Sequence, residues 1–185
     1  MKELDVKTPV EQRVENLLSR MTREEKVAQM IQVSSNMVSE DEAEEWAARG
    51  AGSFLHTLGG RAEKLQRIAS ETRLGIPLLF GIDAVRGHAL YNGATIFPCP
   101  LAMACSWDEE LMLAVGRATA EEIAADGLHW TFAPLLCLAR DLRWGRVNET
   151  FGEDPVLTGA MAAAMIKGLQ GQSLSDPDSV MACAK

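Results

Sequence analysis

Long apolar runs, clusters of positive charge and a signal-like start are all missing from this sequence of 185 residues. No stretch approaches the ~18 consecutive apolar residues that a membrane-spanning helix needs. The first five residues carry charge with no apolar run behind them, which is not the pattern of a secretory signal peptide. As written, the sequence predicts a cytoplasmic protein with no membrane partner, and a secreted one if a preceding segment has been lost.

Positive charge is in the minority, since Lys and Arg total 18 against 26 Asp and Glu, a formal net charge of −8. Proteins bind nucleic acid by neutralising its phosphates with Lys and Arg, and anionic lipid attracts the same residues. No basic block interrupts the acidic composition. We therefore expect no nucleic acid and no membrane surface among the partners, while neutral substrates remain open.

Cysteine is scarce and unpatterned, with four residues and no Cys-x-x-Cys pair. Such cysteines are predicted to be reduced thiols. Three of them lie in apolar company and are predicted to be core residues: Cys105, Cys137 and Cys183. The three histidines are too far apart in sequence for metal-ligand spacing, and the serine-hydrolase, zincin and P-loop motifs are absent. We predict no metal and no cofactor.

What is present is the composition of one folded domain, with 47% hydrophobic and 24% charged residues. Helices are predicted where capping residues precede amphipathic segments. These starts are Thr8-Pro9-Val10-Glu11, Thr22 with Glu25, Ser39 with Glu42, Ser106 with Glu109, and Asp154-Pro155, and another helix is predicted from about Arg61 to Thr72.

Short apolar runs lie between these helices, at residues 30–33, 52–55, 77–82, 130–133 and 180–183. Apolar runs that alternate with amphipathic helices indicate a parallel sheet covered by helices, an α/β fold. A doubly wound sheet usually has a glycine-rich turn after its first strand, whereas Gly50-Ala-Gly52 precedes a run. Polar residues follow the runs, as in a (β/α)8 barrel. We predict an incomplete (β/α)8 TIM-type barrel.

The length of the chain bears on that prediction, because a complete barrel of this kind needs about 250 residues. The sequence offers about five strands, and the last is followed at once by Lys185. We expect residues 1–185 to be the N-terminal portion of a barrel domain, about its first half, truncated after Lys185. Unpaired strand edges would then favour self-association.

One acidic residue stands where an apolar run meets a glycine-containing loop, in Gly81-Ile-Asp83-Ala-Val-Arg86-Gly87. The carboxylate of Asp83 can accept hydrogen bonds from two neighbouring hydroxyls, as on a sugar ring. Capping the following turn is the alternative role.

Residues 140–146 hold three arginines, an aspartate and a tryptophan. Arginine binds substrate hydroxyls or locks carboxylates. We expect most of these arginines to pair with Asp141, Glu149, Glu153 and Asp154. Arg146 follows a glycine, which suggests a close backbone approach, and is the candidate for binding.

Together these segments resemble glycoside hydrolase family 3, the β-glucosidase-type enzymes, from about Val10 to the end of the sequence. Several motifs in order carry the resemblance. They are residues 14–30 of the opening helices, Gly81-Ile-Asp83, Gly93-Ala-Thr-Ile-Phe-Pro98, Arg140-Asp-Leu-Arg-Trp-Gly-Arg146, Glu149-Thr-Phe-Gly-Glu-Asp-Pro155 and Ala182-Cys-Ala-Lys185.

The resemblance implies a (β/α)8-type barrel, usually followed by an α/β sandwich domain. It implies exo-acting hydrolysis of a β-linked glucoside or oligosaccharide, with retention of configuration through two carboxyl groups. It places the residues that hold the sugar in the −1 subsite at Asp83, Arg146 and Lys185. Without the resemblance, Lys185 would be taken as a solvated side chain.

The sequence departs from the family pattern in two places. Arg86 stands where the family commonly has histidine. The nucleophilic aspartate and the acid/base glutamate normally come after the lysine motif, and Ser175-Asp176-Pro177 has proline where the nucleophile motif has an aromatic residue. We therefore assign no catalytic residue, and we predict that this chain alone is inactive.

Two alternatives remain open at this point. Within the family, the sugar is xylose or another residue in place of glucose. In the other class, the chain is a non-catalytic half-barrel that binds sugar or acts as a scaffold, and pairs with a second copy through its open edges.

Overall fold

A computed structural model of the protein describes residues 8–185. The first five residues, on which the prediction about a signal peptide rests, lie outside the described part. The chain forms two compact units, Met1–Phe80 and Gly81–Lys185. Each unit is described separately below.

The first unit alternates helices with short strands. Its elements are α1 Val10–Arg20, α2 Arg23–Gln29, β1 Gln32–Ser34, α3 Glu40–Ala48, β2 Ser53–Leu55 and α4 Arg61–Glu71, followed by the start of β3 Leu79–Ile82. Strands β1 and β2 pair in parallel, with Val33 opposite Phe54. Both of these side chains are buried, as expected for a strand that helices cover.

Two of the predicted capping boxes in this unit are confirmed. Thr22 and Glu25 cap α2, and Ser39 and Glu42 cap α3, each pair satisfying backbone N–H groups reciprocally. The box predicted at Thr8 is wrong. Pro9 keeps an extended backbone, with ψ at 143°, and is the N-cap of α1 with no side-chain cap bond. Thr8 therefore lies one residue too far from the helix to cap it.

The second unit contains the end of β3 and the remaining elements. These are α5 Pro100–Ala104, α6 Glu109–Ala125, β4 Trp130–Thr131, a 3-10 turn Val147–Glu149 and α7 Pro155–Gln170. Strands β3 and β4 pair in parallel, with Ile82 opposite Thr131. The strands described in both units are thus parallel and alternate with helices, as the sequence predicts.

The N-cap predicted for α7 is confirmed, whereas the N-cap predicted for α6 is wrong. Asp154 caps α7 by accepting a hydrogen bond from the Leu157 N–H, as predicted. The cap of α6 is Asp108 and not Ser106. The Ser106 hydroxyl instead donates to the Met103 carbonyl at the end of α5, a helix that the sequence did not predict.

The apolar faces predicted for α6 and α7 are mostly buried, although Leu111 of α6 is exposed, and the two helices pack closely. Gly116 of α6 and Gly168 of α7 lie at the crossing, where a Cβ on either would collide with backbone of the other helix. Met112 and Met165 are fully buried beside them. None of the helices among residues 8–185 is long and apolar enough to cross a bilayer.

The fifth predicted strand is wrong as a strand, although its backbone does pair. Only Met181 forms a bridge, with Trp130. Further on, Cys183 N–H donates to the Ala133 carbonyl and Lys185 N–H to the Pro134 carbonyl. In the register of the Trp130–Met181 bridge the Cys183 N–H would donate to the Thr131 carbonyl, so its bond to Ala133 lies two residues further along and breaks the regular ladder.

The prediction of buried cysteines is also wrong. Cys105 and Cys137 are exposed, and Cys183 is only partly covered. Met103 and Ala104 are buried, while Cys105 is the C-cap of α5 and turns towards solvent. An apolar neighbourhood in sequence therefore did not place these thiols in the core.

Candidate functional site

Asp83 lies directly after β3, and β4 holds the backbone on both sides of it. The Phe132 N–H donates to the carbonyl of Ile82, and the Ala84 N–H donates to the buried Thr131 hydroxyl at 3.3 Å. Ile82 and Ala84 are both fully buried. The backbone of Asp83 is therefore fixed, while its side chain stays 37% exposed.

Lys185 reaches Asp83 from the last described segment. Its Nζ lies 3.2 Å from Oδ1 of Asp83. The same ammonium lies 5.7 Å from the centre of the Phe132 ring, within the range of a cation–π contact. The structure thus brings together two of the three residues predicted to bind substrate.

Arg146 precedes the 3-10 turn, and this turn places Glu149 against it. Nε of Arg146 lies 2.8 Å from Oε1 of Glu149, and Nη2 lies 2.6 Å from Oε2. This hydrogen-bonded pair lowers the pKa of Glu149 and raises that of Arg146 from their ordinary values. The guanidinium is therefore held by two parallel bonds to one carboxylate.

The pair of Asp83 and Lys185 and the pair of Arg146 and Glu149 act on each other electrostatically. Asp83 helps to raise the pKa of Arg146, and Lys185 helps to lower the pKa of Glu149. We call these four residues the four-charge cluster. It contains all three residues that the sequence predicts for substrate binding, together with Glu149.

The arginines of residues 140–146 were expected to pair with acidic residues, and this expectation is met in part. Arg143 pairs with Asp141 two residues earlier, and this contact lowers the pKa of the Asp141 carboxyl. Asp154 does not join such a network, because its carboxylate caps α7. In place of the predicted network, the structure shows two separate pairs, Arg143 with Asp141 and Arg146 with Glu149.

The loop after β3 is fixed to the C-terminal half of α6. The Glu122 carboxylate accepts hydrogen bonds from both the N–H and the hydroxyl of Thr95. Nε2 of the buried His88 lies 3.2 Å from Oδ2 of Asp126. Gly87, at φ 88°, passes so close to the Thr95 carbonyl that a Cβ there would collide with it. These contacts stabilise the loop that begins at Asp83.

Arg86, the departure from the family pattern, lies in this loop. Its side chain is exposed, and its carbonyl accepts a hydrogen bond from the Phe97 N–H at 3.0 Å. Its backbone therefore takes part in the closure of the loop.

Sequence reasoning missed two contributors to the site. Glu149 was assigned only to a general ion-pair network, although its spacing of three residues from Arg146 suits a pair across one tight turn. Phe132 follows β4, where side chains of a parallel sheet meet a site, but it carries no polar signal.

The cluster offers two carboxylates as acceptors and two cations as donors. Such a set matches a ligand with several neighbouring hydroxyl groups, each of which both donates and accepts. Across residues 8–185, no three His, Cys, Asp or Glu side chains come together in a way that could hold a metal ion.

Comparison with known proteins identifies similar chains. The Glycosyl hydrolase family 3 N terminal domain matches residues 22–185. The periplasmic beta-glucosidase of Salmonella typhimurium (strain LT2) is 38% identical over 176 residues, which is 93% of this chain and 22% of that protein.

Solved structures agree with the sequence matches. A β-glucosidase involved in saponin metabolism from intestinal bacteria superposes with a TM-score of 0.81 at 48% identity, over 93% of this chain and 23% of that one. A mutant β-glucosidase of Listeria innocua, in complex with laminaribiose, gives a TM-score of 0.83 at 35% identity, over 96% and 26% of the two chains.

These matches confirm the predicted fold class, an α/β chain that forms part of a (β/α)8 TIM-type barrel. The chain spans about a quarter or less of the length of each of these three proteins.

Proposed function

Since the chain belongs to glycosyl hydrolase family 3, we propose that it contributes part of the −1 sugar subsite of a retaining, exo-acting β-glucosidase. Residues 1–185 are then the N-terminal portion of the barrel domain. The substrate is a terminal β-D-glucosyl residue of a glucoside or oligosaccharide. The three relatives named above are β-glucosidases, which supports this choice of sugar, although another relative, 38% identical over 131 residues, is named a β-xylosidase.

The observation that carries the proposal is the contact between Asp83 and Lys185, with the electrostatic influence of these two residues on the Arg146–Glu149 pair as support. Asp83 accepts hydrogen bonds from two adjacent hydroxyls, and Lys185 and Arg146 donate to the oxygens of the ring substituents. Hydrogen bonds to charged groups contribute ≈ 1.5–3 kcal/mol each. Their role in the reaction is orientation, because a sugar fixed in one pose presents its anomeric carbon to the reacting groups.

The carboxylates of the four-charge cluster are not suited to the bond-breaking step. Asp83 is paired with Lys185, and Glu149 is bonded twice to Arg146. A retaining glycosidase needs one carboxylate free to attack and a second carboxyl group that exchanges a proton. We therefore assign no catalytic residue in this chain, and we expect the chain alone to release no product from an aryl β-glucoside.

The cellular location belongs to the same proposal. The periplasmic relative favours secretion over the cytoplasmic location that the sequence as written predicts. The acidic composition keeps nucleic acid and anionic membranes out of the expected partners.

The test is binding of methyl β-D-glucopyranoside to the isotope-labelled chain, followed by NMR. We expect shifts at the amides around Asp83, Arg146 and Lys185, and their loss in Asp83→Asn. Asp176→Asn, on an exposed loop after α7, is the control and keeps them. Equal binding by Asp83→Asn and the wild type would contradict the subsite.

Two further assays test the sugar and the chemistry. Methyl β-D-xylopyranoside is expected to bind more weakly, because it lacks the hydroxymethyl group, and tighter binding would favour a xylosidase. Release of nitrophenol from nitrophenyl β-glucoside by the pure chain, abolished by Asp83→Ala, would refute the assignment of no catalytic residue.

A further inference from the structure

Two arginine–carboxylate pairs of the same kind lie within nine residues of each other, and they differ in their surroundings. Arg143 and Asp141 have side chains 91% and 52% exposed. Arg146 and Glu149 are 48% and 29% exposed. The second pair is thus the more enclosed, and the pKa values of its two residues respond to Asp83 and Lys185.

The contact with Glu149 fixes the plane of the Arg146 guanidinium. Glu149 occupies one N–H on Nε and one on Nη2, which leaves three of the five guanidinium donors for other partners. The turn beneath the pair is itself held, since the Thr150 hydroxyl donates to the Val147 carbonyl at 2.8 Å and Phe151 is buried. The free donors therefore have a defined direction.

The contact also determines the charge of the site. Asp83 and Glu149 contribute two negative charges, and Arg146 and Lys185 contribute two positive charges, so the four-charge cluster is formally neutral. A neutral site gives no advantage to a charged ligand. Loss of the Glu149 charge leaves one net positive charge, which would attract an anion.

We propose that Glu149 is a positioning residue that holds Arg146 in place and keeps the site neutral, so that it selects an uncharged sugar over one that carries a carboxylate. The proposal rests on the function proposed above, that this site binds sugar. It adds a determinant of selectivity, and it predicts the direction in which selectivity moves when the charge is removed.

The experiment compares two probes that differ only at carbon 6, methyl β-D-glucopyranoside and methyl β-D-glucopyranosiduronate. Dissociation constants come from NMR titration of the wild type, Glu149→Gln and Asp141→Asn. The last variant is the matched control, because it removes the carboxylate charge of the Arg143–Asp141 pair outside the cluster. In Glu149→Gln we expect the preference for the glucoside to fall about fivefold, the scale of an exposed charge pair. Asp141→Asn leaves the preference unchanged.

Two further measurements separate charge from position. Glu149→Asp keeps the charge but has a shorter reach, so we expect weaker binding of both sugars with the preference retained. The shift in Glu149→Gln decreases when salt is raised from low to high concentration, because salt screens charges near the surface. Thermal unfolding confirms that each variant is folded.

The outcomes distinguish the two proposals. If Glu149→Gln weakens both sugars by the same factor, Glu149 has a structural role only and the inference is overturned, while the sugar site stands. If the wild type binds neither probe, the proposed function fails and the inference fails with it. A preference that shifts equally in Asp141→Asn would also overturn the inference.

Discussion

The ammonium of Lys185 lies 3.2 Å from Oδ1 of Asp83, a contact between residues 102 positions apart in sequence. Both side chains are about one third exposed, at 35% and 37%. Ion pairs in such a setting contribute little to folding, because water screens them and ordering two side chains costs entropy. The contact is therefore better suited to arranging groups for a ligand than to stabilising the fold.

A double-mutant cycle with Asp83→Asn and Lys185→Met tests this view. We expect a coupling of about 0.2–1 kcal/mol in the free energy of unfolding, measured with urea. Each single variant should weaken the binding of methyl β-D-glucopyranoside about tenfold, the loss of one charge-assisted hydrogen bond. A coupling above ~3 kcal/mol would instead indicate a buried structural ion pair.

The pair of Arg146 and Glu149 predicts a pH dependence of stability. The pKa of Glu149 lies below its ordinary 4.5 in the folded protein, chiefly because of the hydrogen bond from Arg146. The folded state therefore holds this proton less readily than the unfolded state. The stabilisation is complete above pH 4.5 and is lost as the pH falls through the lowered pKa.

The measurement is urea unfolding of the wild type and Glu149→Gln between neutral and acid pH. We expect the difference in free energy of unfolding to be largest at neutral pH and to shrink in acid. A difference that stays constant with pH would show that the charge of Glu149 has no part in it.

The contact between Glu122 and Thr95, which holds the loop after β3, predicts how readily this loop opens locally when the contact is removed. Glu122→Ala removes the acceptor of the Thr95 N–H and hydroxyl. We expect amide hydrogen exchange at Thr95 to rise about tenfold, which corresponds to about 1.4 kcal/mol of lost local hydrogen bonding. Glu121→Ala, at the preceding residue of α6, is the control and leaves Thr95 unchanged. Unchanged exchange in Glu122→Ala would show that other contacts hold the loop.

Two glycines of α7 predict opposite effects of the same substitution. Gly168→Ala places a Cβ against the backbone of α6 and should destabilise the protein by about 1–3 kcal/mol. Gly159→Ala meets nothing within 4 Å and should stabilise it by up to ~1 kcal/mol, since alanine favours a helix. Thermal unfolding of the two variants checks the pair, and equal effects would contradict the close helix contact.

Most features that depend on neighbouring residues were predicted from the sequence, the box at Thr8 being the exception because Pro9 stays extended. The caps at Thr22, Ser39 and Asp154 formed because donor and acceptor lie within one turn of each other. The α/β fold class followed from the alternation of apolar runs and amphipathic helices. The placement of Asp83 directly after a strand was also predicted, because the apolar run before it is continuous.

Features that depend on distant residues were not predictable in the same way. Ser106 does not cap α6 because the helix begins at Glu109 with Asp108 as its N-cap, and the Ser106 hydroxyl lies at the end of α5, a helix that was not predicted. Residues 181–185 did not form a regular strand because their backbone bonds change register between Met181 and Cys183, which an apolar run of sequence does not specify. The exposure of Cys137 likewise depends on tertiary packing, which an apolar stretch of sequence does not specify.

The main chain of Lys185 is held on both sides by one neighbouring segment. Its N–H donates to the Pro134 carbonyl, and its own carbonyl accepts from the Leu136 N–H at 2.7 Å. Neither bond involves the side chain. Both bonds are therefore retained by any residue at this position except proline, which lacks the N–H. A substitution at position 185 therefore changes the group presented to Asp83 without removing either backbone bond, so its effect can be assigned to the side chain.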